Sequence, residues 1–262
     1  MFSWLRMLWW HARLIPPPRV ANRRTKNCAL PDLDAICVYR ARNARKVLRM
    51  VEGLPNARWA LWSLDEIDSS LAQFTIGCGA AQRTLLHNKL ESSFPRLGAP
   101  RWLLATDDDI EVPTGQLELL RKVALLCQFD LAQPAASPAS QGVHEFVRAR
   151  GLTIARRTHF VECGPLLLFS PRGRRLLLPY PENAGMGWGS EARWWTLSVA
   201  HDLALGIVDC ARYEHLGSPG GLYANEPEMA IMFRELASAG LKGFNEIQFT
   251  VRRWGIFDAL NP

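Results

Sequence analysis

The chain has 262 residues, 48% hydrophobic and 21% charged, with 10 Trp and 11 Phe; that is apolar material for one generous domain and argues against a disordered chain. Its net charge of +6 rests mostly on Arg, whose planar fork suits phosphate, but no basic stripe with interleaved aromatics marks a nucleic-acid binder. The six cysteines (Cys28, Cys37, Cys78, Cys127, Cys163 and Cys210) include no CxxC pair, which argues against a zinc knuckle or a disulfide scaffold and favours buried reduced thiols in a cytoplasmic protein.

Residues 1–27 read as an amphipathic segment and linker, and residues 28–262 as a single catalytic domain. Met1 to Ile15 is apolar but too short for a bilayer span, and Arg6, His11 and Arg13 interrupt it. As a helix it places Ser3, Arg6 and Arg13 on one stripe and Trp4, Leu5, Leu8 and Trp9 elsewhere. Such a helix either lies at a membrane interface, giving peripheral contact with the inner face of the membrane, or packs on the domain's own surface. No small-residue cleavage site follows it. Pro16-Pro17-Pro18 ends the segment.

Beyond the linker, short apolar runs alternate with longer mixed stretches, the pattern of an α/β protein. Strands are predicted at Ala35–Tyr39, Trp59–Ser63, Trp102–Thr106, Leu131–Pro134, Pro165–Phe169 and Gly206–Cys210. Helices are predicted at Ala44–Gly53, Gly79–Ser93, Gly115–Cys127, Pro171–Leu178, Ser190–Leu205 and Glu226–Ala239.

The strand predicted at Trp102 runs directly into Asp107-Asp108-Asp109. Open α/β sheets bind ligands at the carboxyl ends of their strands. Alternation along extended chain lets Asp107 and Asp109 face one way and sends Asp108 another. Two ionised carboxylates ~5 Å apart repel by about 3 kcal/mol at an effective dielectric near 20, a cost that a divalent cation removes. Oxygen ligands suit Mg²⁺ or Mn²⁺. The plainer alternative is a helix cap or a solvated turn.

Gly185-Met186-Gly187-Trp188-Gly189-Ser190-Glu191 is the second unusual passage. Its glycines let a ligand approach the backbone, and Trp188 offers a flat face to a sugar ring. Ser190 is a candidate cap for the next helix. Glu191, in its first turn, either takes a proton from an acceptor hydroxyl or complements the helix dipole. Later, His215 follows an apolar strand; as a neutral imidazole it would complete an Asp/Asp/His set for Mn²⁺.

The ordered set Asp107-Asp108-Asp109, Phe160-Val161-Glu162-Cys163-Gly164-Pro165, Gly185–Glu191 and Asp209–His215 resembles the GT-A glycosyltransferases, and especially bacterial proteins labelled family-2-like glycosyltransferases. Trp188-Gly189-Ser190-Glu191 is also similar to the WGxE segment of the β-1,4-galactosyltransferases. The resemblance spans about residues 34 to 217. It implies a Rossmann-like nucleotide-diphospho-sugar transferase fold, with a mixed central sheet flanked by helices, and a metal-dependent, inverting transfer of a hexose in glycan biosynthesis.

The resemblance further implies that Asp107, Asp109 and His215 hold Mn²⁺ or Mg²⁺ and that Glu191 is the catalytic base. The galactosyltransferases carry further acids after that glutamate, where this chain has Ala192-Arg193. Donor contacts fall to Arg40, Arg42 and Asp108; Arg83, Asn88 and Lys89 either join them or form a solvated helix face. Acceptor or sugar contacts fall to Trp188, Gly189, Ser190 and Glu162. Arg156, Arg157 and His159 either meet phosphate or acceptor or form an exposed charge run. The implied partners are a nucleotide diphosphate sugar and a glycan or lipid-linked acceptor. Two rival readings are a nucleotidyltransferase, for which no glycine-rich basic phosphate loop appears near the start, and a non-catalytic membrane-peripheral adaptor.

Overall fold

The computed structural model describes residues 29–95, 99–217, 224–256 and 258. In chain order its elements are β1 (Leu33–Tyr39), α1 (Ala44–Gly53), β2 (Arg58–Ser63), β3 (Thr75–Cys78), α2 (Arg83–Ser92), β4 (Trp102–Asp107), β5 (Ile110–Glu111) and α3 (Gln116–Leu126). There follow β6 (Leu131–Ala136), β7 (Thr153–Thr158), β8 (Leu166–Phe169), α4 (Pro171–Leu177), α5 (Ser190–His201), β9 (Leu205–His215), α6 (Asn225–Ser238) and β10 (Thr250–Gly255). Residues 1–27, with the predicted membrane-facing helix, lie outside the described residues. Among those described, no helix is long and apolar enough to cross a membrane.

The strands form one mixed sheet in the order β10-β7-β9-β6-β8-β4-β1-β2-β3, with β5 pairing β9 off that path. β3, β2, β1 and β4 are mutually parallel, and β8 runs antiparallel to both β4 and β6. Both faces are covered, which explains why the central strands are continuous apolar runs rather than alternating ones. Leu33, Ala35, Cys37 and Tyr39 of β1 join α1 and α3 in one core, while Ile36 and Val38 face the other with α2, α4 and α5. Three arginines, Arg58, Arg101 and Arg174, close on Asp34 at the amino end of β1 at 2.7–2.8 Å, on the sheet edge away from the acidic triplet.

Several expectations are corrected here. β3, β5, β7 and β10 were not anticipated. The helix expected from Gly79 begins at Arg83, because β3 and a turn through Gly79 (φ +126°) precede it. The helix expected to run to Leu205 stops at His201, where Asp202 takes a left-handed conformation and β9 then starts. β9 continues past Cys210 to His215. Its register with β6 jumps between Pro134 and Ala135, whose partners are Val208 and Arg212, so residues 209–211 bulge. The extension beyond that bulge pairs Ile110 with His215 and Glu111 with Glu214.

Candidate functional site: a carboxylate-lined cavity

A cavity of about 640 Å³ opens where the carboxyl ends of β1, β2 and β4 meet the entry to β8. On one side it is lined by Val38, Arg40, Leu64, Arg83 and the three aspartates; on the other by Gly142–His144, Glu162–Pro165, Met186, Trp188, Gly189, Glu191, Met232 and Phe244. His215 also reaches it. Residues as far apart in the chain as Val38 and Phe244 thus meet at the strand tips, where α/β sheets place ligand sites.

Each aspartate has a different tether. Asp107 Oδ1 accepts from Arg83 Nε at 2.7 Å. Asp108 Oδ2 accepts from the Arg40 backbone N–H at 2.7 Å and from Asn43 Nδ2 at 3.0 Å, which fixes the loop after β1. Asp109 Oδ2 lies 3.4 Å from His215 Nε2, because β5, starting one residue after Asp109, pairs with the end of β9. The Leu216 N–H donates to the Asp109 carbonyl at 2.9 Å, locking that corner. Burial raises Asp107 and Asp108 above the ordinary carboxylate range in spite of these donors. Burial also pushes Asp109 up, but the hydrogen bond and charge of His215 outweigh it and leave Asp109 below that range.

The chemistry of His215 bears on a cation. Its Nδ1 lies 2.8 Å from the Gln141 carbonyl, which only accepts, so Nδ1 carries a hydrogen. Nε2 therefore meets the Asp109 carboxylate either with a second proton or with its lone pair. Burial opposes that proton, but the Asp109 hydrogen bond and charge hold the imidazole above its usual range. A divalent cation can replace the proton between these two groups, and a backbone carbonyl behind the other ring nitrogen is the usual support for a metal-binding histidine. The pair fits a cation. The expected triad is not assembled, because Asp107 is turned to Arg83, and among the described residues no three His, Cys, Asp or Glu side chains cluster as metal ligands.

Arg83 is 7% exposed, yet its Nη2 has no protein partner. Burial works against its charge, but Asp107, with lesser help from Cys163 and Tyr180, holds it firmly protonated. A buried, charged donor left open beside a cavity is a natural seat for an anionic oxygen.

Opposite lie two carboxyls. Glu191 Oε1 accepts from the Cys163 N–H at 2.7 Å and Oε2 from the Gly189 N–H at 3.1 Å, so it ties the loop before β8 to the glycine loop. Burial pushes it up to about 7 against those bonds. Glu162 Oε1 accepts from the His144 N–H at 3.2 Å, while Oε2 is buried without a partner. Burial pushes Glu162 up to about 8, the His144 bond opposing and Glu191 adding to the rise. The cap of α5 is Gly189 (φ +94°), not Ser190, which is the first helical residue and does not line the cavity.

Other expected contacts fall elsewhere. Asn88 holds the Tyr180 backbone through two bonds of 2.8 Å, Lys89 sits 4.0 Å over the Trp62 ring, and Arg42 is exposed outside the cavity. Arg156 is fully buried on Asp209, Arg157 pairs with Asp202 at the surface, and His159 stacks on Phe249. Sequence reasoning missed Asn43, Gln141, His144, Met232 and Phe244. Asn43, a capping-type residue after a strand, left a faint signal; the others left none, being single residues in unremarkable loops and a helix.

The mixed sheet flanked by helices, with three carboxylates at the tip of β4, has the architecture of the GT-A fold. No family model and no curated protein matches the sequence. The fold, by contrast, matches solved structures, 166 chains among them. One of them, described as GalNAc-T7 with UDP, GalNAc and Mn²⁺, superposes with a TM-score of 0.57 at 11% identity, over 79% of this chain. This chain spans 48% of that one's length. At that identity the likeness carries the fold.

Proposed function

We propose that this protein is a divalent-cation-dependent glycosyltransferase. It moves a hexose from a nucleotide diphosphate sugar to a hydroxyl of a glycan or lipid-linked acceptor, with inversion. The observation that carries the reading is the polarity of the cavity. Its β4 side gathers Asp107, Asp108, Asp109, Arg83 and His215, groups suited to a cation and a diphosphate. Its far side pairs two weakly acidic carboxyls with Trp188 and Phe244, a surface suited to sugar rings.

Asp109 and His215 would hold the cation, with Asp107 beside them. A cation there supplies positive charge against the departing diphosphate. Arg83 adds its unpartnered Nη2 toward the same oxygens. The loop that Asp108 fixes through Arg40 and Asn43 borders the nucleoside end, between Val38 and Leu64. Trp188 and Gly189 face the transferred sugar, and Glu162 and Glu191 stand on the acceptor side. Inversion needs the acceptor oxygen opposite the leaving diphosphate and a base to take its proton, and the two-sided cavity supports that arrangement.

Calorimetry with UDP and GDP, with and without Mn²⁺, tests the reading. Cation-dependent nucleoside diphosphate binding, lost in Asp109→Asn, is the expected result. No nucleotide binding in any condition would leave a peripheral adaptor as the better account. Pyrophosphate release from a nucleoside triphosphate would instead indicate nucleotidyl transfer.

A further inference from the structure

Two carboxyls share the acceptor side of the cavity, and their surroundings divide the work between them. Glu191 is 5% exposed and spends one oxygen on each of two backbone N–H groups from different loops. Removing it unties the loop before β8 from the glycine loop. Glu162 is held just as firmly from behind. Its backbone N–H donates to Gln133 Oε1 at 2.6 Å, its carbonyl accepts from Gly164, and its Oε1 takes the His144 N–H. Its Oε2 is different: buried and without a protein partner, on a residue that lines the cavity.

A buried carboxyl oxygen with no partner costs the fold stability, and proteins keep such atoms chiefly where a ligand or water completes them. The wall around Glu162 suits a hydroxyl-bearing ring. His144 packs edge-on against Phe160 and Phe244 with Gln248 Nε2 3.1 Å from its Nδ1, and burial favours the neutral ring. Burial, and after it Glu191, disfavour charge on Glu162, while the His144 N–H, His215 and Arg148 favour it, so burial and charge pull its ionisation in opposite directions.

We infer that Glu162 is the catalytic base that takes the acceptor's proton, and that Glu191 is a positioning residue that fixes the loop carrying it. This rests on the glycosyltransferase reading above. In the step, a lone pair of the acceptor oxygen forms the new bond to the anomeric carbon. The bond from that carbon to the diphosphate oxygen breaks, and its electron pair leaves with the nucleoside diphosphate. The acceptor's proton passes to Glu162 Oε2. Atoms and charge balance with no further reactant.

Water can stand in for the acceptor, so the test needs no acceptor identified beforehand. The probe is a panel of UDP- and GDP-hexoses with Mn²⁺, read as nucleoside diphosphate released, with UDP and GDP affinity measured in parallel. Glu162→Gln is expected to lower turnover about 10²-fold or more with nucleotide affinity within threefold of wild type. Glu162→Ala should fall as far and recover several-fold in formate, a small base that fits the vacated space; that rescue also decides the matter should Glu162→Gln fold poorly. Glu191→Gln should lose thermal stability and nucleotide affinity together and show no formate rescue. Near-normal turnover in Glu162→Gln, or formate rescue of Glu191→Ala but not Glu162→Ala, overturns this assignment and leaves the glycosyltransferase reading standing. A wild-type protein that releases nucleotide from no donor overturns both.

Discussion

Arg156 and Asp209 are both fully buried, joined by two bonds of 2.9 and 3.1 Å, and Arg156 also donates to the Phe146 and Arg148 carbonyls. The pair pins the bulge of β9 to β7, on which the placement of His215 depends. Removing one partner leaves an uncompensated buried charge, so Asp209→Asn is expected to cost about 3–5 kcal/mol in urea unfolding. Replacing both by Met and Leu should cost distinctly less, since no buried charge is then left alone. A second residue-scale prediction concerns Glu162. Its pKa in the fold, about 8, lies above its ordinary 4.5, so the unfolded chain releases this proton first as pH rises. Its contribution to stability is therefore complete below about pH 4.5 and is lost on the way up to about pH 8, by an amount on the order of 5 kcal/mol. Glu162→Gln, which cannot ionise, should gain on wild type as pH rises from 5 to 8. Equal slopes for the two proteins in denaturant titrations across that range would refute it.

At the scale of elements, the glycine loop and α6 are fitted to each other. A Cβ on Gly189 (φ +94°) would stand 2.9 Å from Glu235 Cβ and 3.0 Å from Met232 Cα; one on Gly187 (φ +104°) would stand 2.8 Å from Cys163 Sγ. Both positions combine a left-handed backbone with atoms that leave no room. Gly189→Ala is expected to destabilise by about 1–3 kcal/mol in chemical denaturation and to weaken nucleotide-sugar turnover further, because Trp188 and Glu191 flank it. A variant equal to wild type on both counts would show that loop and helix are free to separate. The sequence showed this loop through its glycine density, but not α6 as its partner, since no local pattern encodes a distant neighbour. Buried strands such as β1 and β4 were legible as apolar runs. β7 was not, because Thr153-Ile154-Ala155-Arg156-Arg157-Thr158 carries two arginines in six residues, and only the fold shows Asp209 neutralising Arg156 inside the core. β10, an edge strand carrying Arg252 and Arg253, hid for the same reason.

For the molecule as a whole, alternating elements gave away the α/β class, while the strand order with its antiparallel β8 depends on pairings remote in sequence. The aspartates, His215, Glu162 and Glu191 could be picked out by residue type and order, whereas their division into tethered and open groups is a property of the assembled cavity. That cavity draws one wall from the β1–β4 half of the sheet and the other from the segments around β6, β8 and β9. On the proposed reading, a donor that spans it would bind both halves only when they are folded together. Ligand binding to the native state alone stabilises by RT ln(1 + [L]/Kd), about 2.7 kcal/mol at one hundred times Kd. For a chain of this size that corresponds to an upward shift of roughly 5–10 °C. UDP and Mn²⁺ supplied together should therefore raise one cooperative transition by about that much. Supplied singly they should give less than half of it, because a cation between Asp109 and His215 and a diphosphate beside Arg83 favour each other's binding reciprocally. Asp109→Asn should abolish the excess of the joint effect over the separate ones, while Lys89→Ala, outside the cavity, should leave it intact. Two separate melting transitions, only one of them moved by ligand, would mean that the halves unfold independently and that no bound donor bridges them.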